Sequence, residues 1–129
     1  MSEPLVFVDS SEIREGKLDE LKTAMKELVE FVKANEPRPI AYDVYLNEDG
    51  TKITVVQVHP DSASMEFHMK VAAPEFAKLT ELVRLQAMDV YGTPSEDLLE
   101  QLRRKVQLLG NATVTVHHLH AGFTRFGIS

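Results

Sequence analysis

The sequence contains no cysteine and no tryptophan. Without cysteine there is no disulfide, no thiolate zinc site and no thiol nucleophile, which leaves His, Asp and Glu as the only strong metal ligands. Long apolar runs are missing too. None approaches the roughly 20 residues that a membrane-spanning helix needs. The opening stretch, MSEPLVFVDSS, lacks the basic segment and following apolar run of a secretory signal. A cytoplasmic protein with no membrane partner is the expectation. Basic charge is also in short supply, with 14 Lys and Arg against 20 Asp and Glu and a net charge of -6. Such a chain is repelled by duplex phosphates, so no nucleic-acid partner is expected. The densest basic group, Arg103, Arg104 and Lys105, has acids nearby and reads as a solvated helix face. GxGxxG, GxxxxGK[ST] and GxSxG do not occur, so phosphate loops and a hydrolase elbow are unsupported.

What is present fits one globular domain, 1–129: 129 residues, 43% hydrophobic and 26% charged. The run PLVFVDSSEI (4–13) reads as a strand. In 17–35, Leu18, Leu21, Met25, Leu28, Val29 and Val32 share one helical face, and the prolines of NEPRP (35–39) stop the helix. Strands follow over 40–47 and 52–59, joined through Asp49-Gly50, a hairpin signal. Asp61 or Ser62 caps a second helical region, which Pro74 divides into 62–72 and 74–83. A strand over 84–92 comes next. TPSE (93–96) then forms a capping box, with Thr93 at the N-cap, for a helix that buries Leu98, Leu99, Leu102 and Val106 and ends near Gly110. The last strand is 112–120.

The order β-α-β-β-α-β-α-β builds a ferredoxin-like α+β domain with an antiparallel sheet, helices on one face, and an extra C-terminal helix and strand. Helices on one face leave the other to be covered, and a second copy of the sheet would do so in a homodimer.

Two stretches carry a family resemblance: REGKLDELKTAMKELV (14–29) and AYDVYLNEDGTKITVVQVHPDSASMEFHMKVAAPEFAKL (41–79). Together they resemble the antibiotic biosynthesis monooxygenase-like family. The likeness covers a core of 4–91, with 92–129 as a helix-strand extension. It implies a dimeric α+β barrel and a small-molecule enzyme, such as an oxygenase acting on an aromatic or quinone-like metabolite without a cofactor. Other family members degrade haem or isomerise metabolites. The oxygenase and haem-degrading branches often place a Trp in the site, and this chain has none. The alternative is a non-catalytic dimer that binds a small ligand.

His68 is the sharpest candidate. Met65, His68, Met69 and Ala72 recur at i, i+3, i+4, i+7, so a titratable ring sits in a buried stripe. The resemblance places a helix histidine at this position. The residue reads either as a core histidine with a satisfied hydrogen bond or as a catalytic acid–base group. Tyr42, Gln57 and Met65 are candidates to shape a substrate cavity. Gln57 and His59 share a strand face with Ile53 and Val55; His59, at the strand end, reads as solvent-exposed. His118 and His120, i and i+2 on a strand, are spaced to grip a metal but lack an evident third ligand, so no metal site is assigned. Asp43 and Asp89 would form a carboxylate pair if their strands were neighbours.

Overall fold

The computed structural model describes residues 3–126. Five strands and four helices alternate as β1 (Leu5–Ile13), α1 (Leu18–Asn35), β2 (Ala41–Leu46), β3 (Lys52–His59), α2 (Ser62–Val71), α3 (Ala73–Ala77), β4 (Val83–Tyr91), α4 (Glu96–Leu109) and β5 (Gly110–His117). The sheet order is β2-β3-β1-β4-β5. β1 pairs antiparallel with β3 and β4, and β2 antiparallel with β3. These four strands are the ferredoxin-like unit. β5 joins β4 in parallel, which requires a crossover, and α4 is that crossover. The extension therefore completes the sheet within the chain itself. Gly110 makes the join possible: a Cβ there would lie 2.7 Å from the Leu85 carbonyl oxygen.

Alternation along β1 turns Leu5, Phe7, Asp9, Ser11 and Ile13 toward one face. The helices cover that face only. Leu21, Met25, Leu28 and Val32 of α1, Met65 and Met69 of α2, and Leu98, Leu102 and Val106 of α4 join Leu5, Phe7, Ile53, Val55, Met88 and Val90 in one core cluster. Each fully buried Leu or Met contributes about 1.5–3 kcal/mol relative to exposure. On the opposite face Val6, Val8 and Val56 are half-buried, while Tyr45 and Tyr91 are 56% and 42% exposed.

Local chemistry explains where the elements stop. Pro37 holds Glu36 in extended backbone (φ -126, ψ 108), and α1 ends. Asp61 caps α2 by accepting from the Ser64 amide. Pro74 opens α3 in its first turn.

Three boundaries differ from expectation. α4 is capped by Ser95, whose hydroxyl accepts from the Leu98 amide at 3.0 Å, and Thr93 lies outside the helix. Ser95 wins because its own amide is anchored to the Ser62 hydroxyl at 2.9 Å. The segment after Pro74 is helical only to Ala77, and then tightens into i→i+3 turns such as Leu82 N–H to Leu79 O. The last strand is Gly110–His117, so His118 and His120 lie beyond it, exposed.

Candidate active site

Between the sheet and its helices lies a group of polar side chains that an apolar core would not need. Because Pro37 forces Glu36 into extended backbone at the end of α1, its carboxylate turns inward, with no exposed side-chain surface. It meets His68 at 2.8 and 3.0 Å from Nδ1. A carboxylate only accepts, so Nδ1 carries the hydrogen and Nε2 is left with a lone pair. Nε2 is buried without a partner among the described residues. Burial lowers the His68 pKa, and the Glu36 hydrogen bond only partly offsets this. The ring is held edge-on by Tyr42 and Phe76, each at 5.4 Å between centroids. The Met65, His68, Met69 and Ala72 stripe is buried as its spacing predicts.

A second histidine stands 5.9 Å from the first. His59 sits between the Ser64 hydroxyl, 2.8 Å from Nδ1, and Gln57 Oε1, 2.9 Å from Nε2. Nε2–H donates to the Gln57 carbonyl oxygen, so Nδ1 accepts from Ser64. Burial and the neighbouring His68 push His59 down to about 3. The expectation of a solvent-exposed His59 is thus corrected: the strand end lies under α2, and the ring is fully buried. Gln57 Nε2 is buried with no partner among the described residues.

The third pair joins β1 to α4. Asp9 takes its place in the inward alternation of β1, and Lys105 lies on the core side of α4 beside Leu102 and Val106. Lys105 Nζ is 3.7 Å from Asp9 Oδ2 and 4.2 Å from the centre of the Phe76 ring. Burial raises Asp9 and lowers Lys105, and each partner's charge only partly opposes this. The basic run is therefore not all solvated. Arg103 and Arg104 are exposed, but Lys105 points inward because it falls on the apolar stripe of its helix.

These groups border a cavity of about 30 Å³, walled by Asp9, Ser11, Tyr42, Phe76 and Lys105 with apolar neighbours. That is room for one water. Outside it, an open groove of about 710 Å³ runs between α1 and β2. Leu21, Met25 and Ile53 belong to both, so one layer of side chains separates groove from cavity.

The structure brings the predicted residues together unevenly. Tyr42 forms cavity wall. The residue is half-buried, and desolvation with Asp9 and Glu36 nearby raises its pKa. His68 lies behind Tyr42 and Phe76 rather than on the wall. Gln57 reaches this region through His59. Met65 is packed into the core and lines no part of the cavity, contrary to the expectation that it shapes one. His118 and His120 are not on one strand face, since β5 ends before them. Among the described residues no group of three His, Asp or Glu could hold a metal. Asp43 and Asp89 do not pair, because β3 and β1 separate their strands; Asp89 instead bonds His117 at 2.9 Å.

Asp9, Glu36 and Lys105 went unrecognised in the sequence. Their signal was available: a carboxylate in phase with Leu5 and Phe7, a lysine in phase with Leu102 and Leu109, and a glutamate held by the proline after it.

Solved structures share this fold. MupZ from Pseudomonas fluorescens superposes with a TM-score of 0.77 at 19% identity, covering 100% of this chain and 94% of that one. Rv0793 from Mycobacterium tuberculosis gives 0.62 at 16%, covering 73% and 98%. An antibiotic biosynthesis monooxygenase gives 0.57 at 21%, covering 67% and 92%. The chain thus has the fold of antibiotic biosynthesis monooxygenase-like proteins, and the resemblance seen in 14–29 and 41–79 holds at that level. MupZ spans the α4–β5 extension as well. No family model matches the chain, and no curated protein does. Among the described residues no helix is long and apolar enough to cross a membrane.

Proposed function

We propose that this chain is a cofactor-independent enzyme that moves a proton on a small molecule, with His68 as the base. The supporting observation is the free Nε2 of a buried histidine whose other nitrogen is held by a buried carboxylate. Glu36 fixes the tautomer and would stabilise the imidazolium formed when Nε2 takes a proton. Tyr42, kept protonated by burial, is a hydrogen-bond donor for an oxyanion, and the unpaired amide of Gln57 is a second. Met65 supports the His68 helix from within the core.

The groove of Leu21, Met25, Val29, Val44, Leu46 and Ile53 has the volume and apolar character of a small-molecule site. It suits an aromatic or quinone-like metabolite. A substrate reaches Tyr42 by displacing the flexible Met25 side chain, and Tyr42 in turn must swing aside to uncover His68. One structural neighbour is an antibiotic biosynthesis monooxygenase; on our reading the substrate here is an electron-rich phenol or quinol, and proton removal is the step His68 performs on it.

A panel of phenols, naphthols and quinols, followed by product formation and hydrogen–deuterium exchange, tests this reading. His68→Gln is expected to lower kcat/KM by about 10²–10⁴-fold with the fold retained. Ligand-induced stabilisation without turnover or exchange would instead make the chain a binding protein. Unchanged turnover in His68→Gln would remove the histidine from the mechanism.

The reading includes a homodimer formed through the open sheet face, where Val6, Val8, Val56, Tyr45 and Tyr91 remain accessible. Solution scattering at micromolar concentration is expected to give twice the 14.5 kDa chain mass; the single-chain mass would contradict it.

A further inference from the structure

The outer groove carries charge that the proton transfer assigned to His68 does not use. Leu21, Met25 and Val29 of α1 give it an apolar wall, but the same helix also places Lys22, Lys26 and Glu30 along it. The other acids of α1, Asp19, Glu20 and Glu27, line no part of it. On a chain of net charge -6, this rim is positive. Lys22 and Lys26 are exposed and one helical turn apart, a like-charge i, i+4 pair that weakens an isolated helix. Among the described residues neither forms an ion pair. Glu30 lies roughly 12 Å along the axis from Lys22. It repels an anion from its own end of the groove and leaves the Lys22 end for one. The sheet side of the groove is Val44, Leu46 and Ile53, in register with the core face of β3. A dimer through the opposite sheet face therefore leaves the groove accessible.

We propose that the groove binds an organic acid, with an aromatic body between α1 and β2 and a carboxylate held at the rim by Lys22 and Lys26. This rests on the small-molecule reading of the groove and names its substrate class: an aromatic acid rather than a neutral phenol or quinol. One carboxylate between the two ammonium groups removes their mutual repulsion, and each N–H···O contact is charge-assisted. The apolar wall keeps water from one side of these contacts, so they are less screened than a fully exposed pair.

Two ligands of the same shape test this on the full chain: 6-hydroxy-2-naphthoate and the neutral 6-hydroxy-2-naphthamide, compared by titration calorimetry at pH 7 and low salt. The acid is expected to bind about tenfold more tightly, the sum of two modest ion pairs. Molar salt should shrink that preference. The double variant Lys22→Gln with Lys26→Gln is expected to abolish the difference between acid and amide. Lys33→Gln with Lys70→Gln removes the same charge from exposed positions outside the groove and should leave the preference intact. Equal affinity for acid and amide, or no binding of the acid at millimolar concentration, overturns the proposal and leaves the lysines as cover for the apolar wall. A preference lost equally in the Lys33 and Lys70 variant also overturns it, since net charge would then be its source.

Turnover separates this proposal from the base assignment. If the acid is preferred but His68→Gln leaves turnover unchanged, only the role of His68 falls. If His68→Gln lowers turnover while acid and amide bind alike, only the acid class falls.

Discussion

Asp9→Ala is expected to cost about 3–5 kcal/mol of folding stability, because it strands the Lys105 ammonium in a low-dielectric interior. Asp9 and Lys105 are both buried, and the 3.7 Å ion pair is the charge compensation that the structure offers either group. The partner experiment is the double variant Asp9→Leu with Lys105→Met. It removes both charges, restores apolar volume between Phe7 and Phe76, and is expected to recover most of the loss or exceed the parent. Urea unfolding of the four proteins in the cycle, compared at constant m, measures both effects. A loss under about 1 kcal/mol for Asp9→Ala would show that the pair is solvated or that Lys105 sheds its proton without penalty. A double variant that is stable but inactive would place the pair in function rather than in the fold.

The folded protein is expected to lose stability progressively as pH falls from neutrality toward 3. His59 is pushed down to about 3 in the folded state against an ordinary value of 6.5. Between those values the unfolded chain binds a proton that the folded chain refuses. The stability from neutral His59 is therefore complete above about pH 6.5 and lost as pH drops toward 3. A shift of that size carries about 5 kcal/mol. His68, also lowered by burial, acts with the same sign. Lys105, lowered as well, acts likewise below its own ordinary range. Asp9 opposes them: its raised pKa means that the folded state keeps a proton longer, so its contribution is present in acid and lost as pH rises through the folded value. Two histidines against one carboxyl leave a net fall. Urea midpoints from pH 7 to pH 4 should decline steadily, and the His59 ring resonances should not titrate above pH 5. A flat midpoint profile would mean that the buried histidines are protonated in place.

The candidate site was legible only where a polar residue interrupted an otherwise regular pattern. His68 stood out because Met65, Met69 and Ala72 surround it at helical spacing. Tyr42 stood out as an aromatic in an apolar strand. Lys105 did not, because Arg103 and Arg104 precede it and three basic residues in a row look like surface. Its burial depends on which side of α4 meets Phe7 and Phe76, a matter of helix docking. Glu36 looked like the polar end of a helix. Its inward turn comes from Pro37, but its partner is 32 residues away on α2.

Local patterning determined the order of strands and helices, the Asp49-Gly50 hairpin, the stop before Pro37 and the buried stripe of α2. Hydrophobic period and the restricted backbone of proline and glycine act over a few neighbouring residues, so they can be read along the chain. Only the tertiary structure decided the parallel pairing of β5 with β4, the burial of His59, and the meeting of Asp9, Tyr42, Phe76 and Lys105 at one cavity. Those outcomes depend on how four separate elements pack across the sheet, and contacts between residues distant along the chain leave no period in the sequence.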